Sequence, residues 1–217
     1  MVFNVRRQWC SIRIQGRNGE AMRIFAIQIV FIALLTSTSA FAGIYDLEVN
    51  ASGSDLEARY SANLPLDKGI LSTGLGAMYR DDDYKIADMK LTVGKELFAP
   101  GLRLDLGLKG VLGVVERNRK EGDLTAVGVL ISANYHIPQT IAPLPIGVSA
   151  GVSWAPDPFC FSDSERYREV RTSLDFGVAK NGEVILGYRC IYARFHDDHG
   201  QWRISDGAIF VGYRLGY

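Results

Sequence analysis

Hydrophobic and polar residues alternate with a period of two along the chain from residue 45 onward. The clearest example is residues 102–109, LRLDLGLK, in which four leucines alternate with arginine, aspartate, glycine and lysine. Successive side chains of a β-strand point to opposite faces, so this pattern predicts a strand with one apolar and one polar face. After residue 43 the sequence contains no apolar run of transmembrane-helix length.

Nine further segments show the same alternation, and the intervals between them are short enough for turns rather than helices. The predicted strands are 45–49, 56–62, 71–79, 87–93, 102–109, 127–135, 146–154, 170–178, 184–192 and 209–217. The fold class predicted is therefore all-β, an antiparallel transmembrane β-barrel of about ten strands that occupies residues 43–217.

The links between the strands distinguish a membrane barrel from a soluble β-sandwich, whose strands also alternate. The odd-numbered links are the more charged and mostly the longer; they are 53–55, 80–83, 116–123, 156–165 and 196–201. The even-numbered links are 65–67, 98–100, 138–145 and 180–182. Outer-membrane barrels have short periplasmic turns and longer polar outer loops, so this asymmetry favours the membrane barrel.

Aromatic residues near the predicted strand ends predict the girdles that flank the apolar band of such a barrel. They are Tyr45, Tyr60, Tyr79, Tyr84, Tyr135, Trp154, Tyr192, Tyr213 and Tyr217. The last strand has an apolar residue at every second position and ends on an aromatic, which resembles the C-terminal signal recognised by barrel assembly machinery, with Tyr in place of the usual Phe. Its residues are Ile209, Val211, Tyr213, Leu215 and Tyr217. An ordinary buried C-terminal strand is the alternative interpretation.

The segment before the strands has the organisation of a secretory signal peptide. Residues 22–42 contain a basic start, an apolar run over 24–35 and the small residues Ala40 and Ala42. The run is shorter than the roughly 20 residues that a membrane-spanning helix needs, which argues against an uncleaved anchor. We expect cleavage between Ala42 and Gly43, and we interpret residues 1–21 as a misassigned start or an extended leader.

Composition excludes several classes of function. The chain carries 24 basic and 24 acidic residues, and no basic cluster of the kind that binds nucleic acid. No metal-ligand spacing and no cofactor motif is present, so we expect neither metal nor cofactor. Export permits a disulfide between Cys160 and Cys190, but the sequence does not decide whether it forms.

Several segments resemble the YfaZ family of Gram-negative outer-membrane proteins. They are VSAGVSWAPDPFCFSDSERYREVRTSLDFG at Val148 to Gly177, GYR at Gly187 to Arg189, and the closing DGAIFVGYRLGY. The resemblance covers nearly the whole of residues 43–217. It implies an outer-membrane location, with lipid, lipopolysaccharide, barrel assembly machinery and periplasmic chaperones as partners, and it implies no biochemical activity or catalytic residue.

The polar face of the strands predicts the residues that line the barrel lumen. They are Glu57, Arg59, Asp88, Lys90, Arg103, Asp105, Lys109, Arg171, Asp175, Arg189 and Arg214. Because both signs of charge occur and a barrel of this size is close to being filled by its own side chains, we favour an internal salt-bridge plug with a structural role. A narrow small-solute channel with a slight excess of arginine is the alternative.

Two further functions remain open at the outer loops. Acidic and histidine side chains suggest an omptin-like rim protease, in which an Asp beside a His activates water, although the chain is shorter than an omptin and lacks its sequence. These residues are Asp81, Asp82, Asp83, His196, Asp197, Asp198 and His199. We expect no enzyme activity. Surface adhesion through Arg117, Arg119 and Lys120 has no sharp signature, and short loops offer little area for an interface.

Overall fold

The computed structural model describes residues 45–81, 83–117, 120–138, 144–197 and 200–217, and the side chain of Asp197 is excluded from the description. Its strands are β1 (Tyr45–Ser52), β2 (Asp55–Leu66), β3 (Gly69–Arg80), β4 (Tyr84–Glu96), β5 (Leu102–Arg117), β6 (Lys120–His136), β7 (Ile146–Ala155), β8 (Cys160–Ser162), β9 (Ser164–Ala179), β10 (Gly182–Asp197) and β11 (Gly200–Gly216). A single 3-10 turn, η1 (Asp157–Phe159), joins β7 to β8 within these ranges.

The predicted leader at 1–21, the signal peptide at 22–42 and the cleavage site at Ala42 and Gly43 lie outside the described residues. Asp82, Arg119, Asp198 and His199 do as well.

The strands form one closed antiparallel barrel. Each long strand pairs with its neighbours in sequence order, β5 pairs with β6, and β1 closes the sheet against β11 with Leu47 opposite Leu215. Counted over the described residues, ten long strands form the wall, and the short β8 pairs with β6 beyond the end of β7. The predicted all-β antiparallel barrel of about ten strands is confirmed, and each of the ten predicted segments is a strand.

Apolar side chains cover the outer surface of the barrel. Leu75, Met89, Leu106, Ile131 and Ile209 each expose between 57% and 60% of their surface. Their neighbours in sequence point inward, as the period of two requires. This arrangement is the reverse of a soluble sheet protein, in which the apolar face is the buried one.

The strands extend further than the sequence pattern predicted at one end of the barrel. We call the end that holds Tyr45 and Tyr217 the terminal end, and the opposite end the distal end. The predicted loops 116–123 and 196–201 lie largely in strands, because Val115, Leu124 and Phe195 continue the inward apolar alternation while the ladder hydrogen bonds continue beside them. The prediction of long polar loops at these two links was wrong.

The interior is apolar at the distal end, where the sequence analysis expected a polar lumen. The distal cluster consists of Met78, Tyr84, Ile86, Val111, Val115, Leu124, Ala126, Ala155, Tyr167, Ile191, Ala193, Phe195 and Ile204, with Cys160 and Trp202 packed against it. Tyr84 was predicted to belong to an external girdle, and this was wrong. Its side chain is 4% exposed and lies inside the barrel, because β4 begins on an inward position.

Two further features of the fold concern the cysteines and the helices. Cys160 carries a free thiol, so the structure contains no disulfide between Cys160 and Cys190. Within the described ranges, no helix has the length and apolar character needed to cross a membrane.

Candidate functional site in the barrel interior

The barrel interior is divided into three layers along its axis. The distal cluster fills one end, a layer of buried ion pairs crosses the middle, and a polar cavity occupies the half next to the terminal end. We call the middle layer the central network. The strand β4 shows the change of chemistry most clearly: toward the terminal end its inward positions run from Tyr84 and Ile86 through Asp88 and Lys90 to Thr92 and Gly94.

Arg189 on β10 lies at the centre of the network. Its side chain is 2% exposed, and its guanidinium lies 3.0 Å from Asp55 Oδ2 and 3.2 Å from Glu57 Oε2. It also donates a 3.4 Å hydrogen bond to the Tyr84 hydroxyl. Since β1 and β11 separate β2 from β10 in the wall, these contacts span the interior between the two strands.

Glu57 is the acidic partner of three cations. Its carboxylate lies 2.6 Å from Arg59 Nε, 2.7 Å from Arg171 Nη1 and 3.2 Å from Arg189 Nη1. Asn50 donates a further 3.1 Å hydrogen bond to Glu57 Oε2. Charge-assisted hydrogen bonds in a water-poor interior are strong, and each of these groups has a partner for its charge.

Glu169 on β9 organises the opposite side of the network. Lys109 Nζ lies 2.6 Å from Glu169 Oε2, and the Tyr167 hydroxyl donates a 2.6 Å hydrogen bond to the same oxygen. Lys109 also lies 3.6 Å from Asp88, and Arg59 lies 3.4 Å from Glu169. Through Glu169 and Lys109, these contacts join β2, β4, β5 and β9.

A third group of ion pairs lies toward the terminal end. Glu48 on β1 accepts from Arg171 at 2.6 Å and from Arg214 at 2.8 Å. Arg214 continues to Asp175 at 3.4 Å and to Glu183 at 2.9 Å. These residues tie the first strand to the last three, next to the seam where the barrel closes.

The structure places all eleven predicted lumen residues on the inward face of the wall. Ten of them take part in ion pairs, namely Glu57, Arg59, Asp88, Arg103, Asp105, Lys109, Arg171, Asp175, Arg189 and Arg214. The eleventh, Lys90, lines the cavity. Whether these side chains line a path for solutes stays a prediction.

Several members of the network were not predicted from the sequence. They are Glu48, Asn50, Asp55, Arg80, Tyr167, Glu169 and Asp206. Glu48 and Asn50 alternate with the outward Leu47 and Val49, so the period of two was sufficient to find them. Asp206 was harder to identify because it lies in a part of β11 where polar and apolar residues do not alternate cleanly.

The terminal cavity has a volume of about 600 Å³. Hydroxyl and amide side chains line much of it, namely Ser61, Asn63, Ser72, Thr92, Ser132, Asn134, Ser149 and Ser153. Charged side chains of the central network form its floor, and Lys180 and Asn181 line it at the terminal end. The cavity does not continue past the central network into the distal cluster.

The predicted rim residues do not form an Asp–His pair within the part of the chain that the structure describes. His196 Nδ1 lies 3.5 Å from Glu165 Oε1, and His196 is largely exposed. Asp83 is paired with Arg80 at 2.8 Å, and Asp81 accepts a hydrogen bond from Tyr79. Over the same residues, no group of three or more His, Cys, Asp or Glu side chains is arranged to hold a metal ion.

The comparisons with known proteins show that this chain is similar to two solved structures in fold alone. The chain is similar to the solved structure of Neisserial surface protein A (NspA), with 13% identity, a TM-score of 0.35, and coverage of 80% of this chain and 93% of that one. It is also similar to the NanC porin, with 7% identity, a TM-score of 0.41, and coverage of 80% and 100%. No family model and no curated protein matches the sequence. The resemblance to the YfaZ family therefore stays a prediction.

Proposed function

We propose that this protein is a small barrel of the bacterial outer membrane with a sealed lumen and a structural role in the envelope. The observation that carries the membrane assignment is the outer belt of large apolar side chains, many of them more than half exposed. Soluble monomers rarely expose a continuous apolar patch of more than a few hundred Å². A belt around a barrel whose charges point inward is the surface that lipid requires.

Strand lengths agree with this assignment. A strand that crosses a bilayer at the usual tilt needs roughly 9–11 residues. The strands β2 to β6 contain between 12 and 17 residues, and β9 to β11 contain 16 or 17. These eight strands are therefore long enough to span the apolar core and to project beyond it at the distal end, where the interior is also apolar, whereas β1 and β7 are shorter, with 8 and 10 residues.

The interior layers support a sealed lumen over a channel. An ion or a solute that follows the barrel axis meets the Arg189 ion pairs first and the distal cluster after them. Leu124, Ile191 and Phe195 of that cluster are each 0% exposed. Barrels of about this strand number are filled by their own side chains, whereas 16-stranded porins enclose a water-filled channel.

Planar-bilayer conductance tests the sealed lumen. The full chain is expressed with its own leader, purified in detergent and inserted into the bilayer beside a general porin as a positive control. We expect no stepwise conductance from the parent or from Arg103→Ala, because Arg103 lies away from the Arg189 layer. Stepwise conductance that Arg103→Ala or Arg171→Ala alters contradicts the sealed lumen and supports the narrow small-solute channel.

Export and location are part of the same proposal. The signal-peptide pattern at residues 22–42 and the resemblance to the YfaZ family support the outer membrane, with lipid and lipopolysaccharide around the barrel and assembly machinery and periplasmic chaperones acting during its biogenesis. Fractionation of cells that express the full chain tests the location. We expect the protein in the outer-membrane fraction, and a gel mobility that changes on boiling. A soluble periplasmic product with unchanged mobility contradicts it.

A further inference from the structure

Among the described residues, the terminal cavity contains one partly buried cation on a strand without a counter-charge. Among the described arginine and lysine side chains that line this cavity from a strand, only Lys90 makes neither a hydrogen bond nor an ion pair. The two carboxylates that act electrostatically on Lys90 are Glu48 and Asp88, and both are paired with other cations. Asp88 lies 3.6 Å from Lys109, and Glu48 pairs with Arg171 and Arg214. An unpaired charge inside a protein is unfavourable unless something compensates it.

The neighbouring strand is built to accommodate the Lys90 side chain. Gly74 lies opposite Lys90 in the β3–β4 register, and a Cβ atom at Gly74 would lie 2.6 Å from Lys90 Cε. Any other residue at this position would force the lysine stem to move. The absence of a side chain at Gly74 therefore lets Lys90 lie along the wall beside the cavity.

Uncharged polar groups lie beside this cation, in addition to the charged side chains of the central network. Ser72, Thr92 and Ser61 belong to the same part of the cavity wall, since they lie on β2, β3 and β4 next to Lys90 and Gly74. On β7, Ser153 also lines the cavity; it is buried, and its hydroxyl has no hydrogen-bond partner among the described residues. Hydroxyl groups of this kind fix the orientation of a polar ligand through hydrogen bonds.

The volume suits a small molecule. Ligand cavities in proteins usually measure between about 300 and 1,000 Å³, and the terminal cavity, at about 600 Å³, lies within that range. The cavity is closed toward the distal end by the central network, so a ligand would enter from the terminal end.

We propose that the terminal cavity binds a small hydroxylated organic anion, whose charged group pairs with Lys90 and whose hydroxyl groups bond the serine and threonine side chains of the wall. This inference concerns binding and not transport, and it does not depend on whether the barrel conducts. The sealed lumen is tested by conductance and this site by titration, so failure of one is distinguishable from failure of the other.

Isothermal titration of the detergent-purified protein tests the site. The probes are gluconate, which carries a carboxylate and a row of hydroxyls, sorbitol, which has a similar size and no charge, and inorganic phosphate. We expect saturable binding of gluconate at one site, weaker binding of phosphate and no measurable binding of sorbitol. Lys90→Gln should weaken gluconate binding at least tenfold. Lys95→Gln, which removes a lysine from the exposed face of the same strand, should leave the binding unchanged.

Thermal stability without a ligand separates binding from a structural role. If Lys90 has no partner in the empty cavity, Lys90→Met should leave the unfolding midpoint unchanged or raise it. A lower midpoint for Lys90→Met assigns Lys90 to the central network and overturns the proposal. The proposal is also overturned if neither anion binds saturably, if sorbitol binds as well as gluconate, or if Lys90→Gln binds gluconate like the parent.

Discussion

Tyr45 and Tyr217 exchange two backbone hydrogen bonds, of 3.1 Å and 2.9 Å, and their rings stack with centroids 6.0 Å apart. Tyr45 also stacks on Tyr60, at 6.1 Å between centroids. The final residue of the chain therefore joins the first strand to the last at the terminal end. This contact gives Tyr217 a structural role at the seam, in addition to the predicted recognition by assembly machinery.

Replacement of Tyr217 by alanine should weaken the seam of the barrel. Each aromatic pair contributes about 0.5–1.5 kcal/mol beyond the area it buries. We expect Tyr217→Ala to destabilise the folded barrel by about 1–2 kcal/mol, measured by urea unfolding in detergent or by the fraction that stays folded on an unboiled gel. Tyr192→Ala, at an exterior tyrosine of β10 far from the seam, is the matched control. An equal loss of stability in the two variants would show that the Tyr45–Tyr217 contact does not stabilise the barrel more than an ordinary exterior tyrosine does.

Removal of Arg189 should have the largest effect of any charge in the network. Breaking a buried ion pair from one side leaves its partner uncompensated, at a cost of about 3–5 kcal/mol. Arg189→Met should therefore leave Asp55 and Glu57 without one of their cations and lower the unfolding midpoint strongly. Arg168→Met, on the exposed face of β9, should have little effect. A near-normal unfolding midpoint for Arg189→Met would mean that Arg59 and Arg171 are sufficient to balance the charge of Glu57.

The distal cluster should behave as a packed core. Phe195 is 0% exposed and stacks on Trp202 with ring centroids 4.4 Å apart. Truncation of a buried phenylalanine to alanine costs about 3–5 kcal/mol because a cavity is left behind. We expect Phe195→Ala to show this loss in chemical unfolding, while Phe161→Ala, whose ring is half exposed, shows well under half of it. The reverse order would mean that this end of the lumen is loosely packed.

The Cys160 thiol should react slowly with alkylating reagents. Burial raises its pKa, and the sulfur donates a 3.6 Å hydrogen bond to the carbonyl oxygen of Ala155. A raised pKa lowers the thiolate fraction at neutral pH, so the rate of modification by iodoacetamide should keep rising with pH after an ordinary cysteine has reached its plateau. Peptide mass spectrometry measures this rate, with the urea-unfolded protein as the reference. Equal rates in folded and unfolded protein would contradict the burial.

The sequence was sufficient to predict the wall of the barrel, because the period of two is a local property of each strand. Every second residue of 102–109 is leucine, and β5 follows that register for its whole length. Inward charges such as Arg171 and Arg189 were predicted from the same register. The ion pairs between those charges were not predicted, because Glu48 and Arg214, for example, meet only when the sheet closes between β1 and β11.

The distal end shows why part of the interior was missed. Charged residues in 116–123 and 196–201 are typical of loops, and they conceal the inward Leu124, Phe195 and Ile204 that continue the strands. An apolar residue on the inward face contradicts the usual pattern of a membrane barrel, in which the apolar face meets lipid. Tyr84 was misplaced for the same reason, because an aromatic residue at a strand end usually faces the membrane boundary.

The central network joins residues that are far apart along the chain: Arg59 with Glu169, Arg171 with Glu48, and Arg214 with Glu48 are separated by 110, 123 and 166 residues. A half-assembled sheet would present many of these charges without partners on one face. These oppositely charged residues come together only when the sheet closes between its first and last strands. The open sheet therefore lacks these ion pairs and has little stability of its own. Folding of this barrel should therefore be cooperative, with few partly closed forms that survive long enough to be observed in the bilayer.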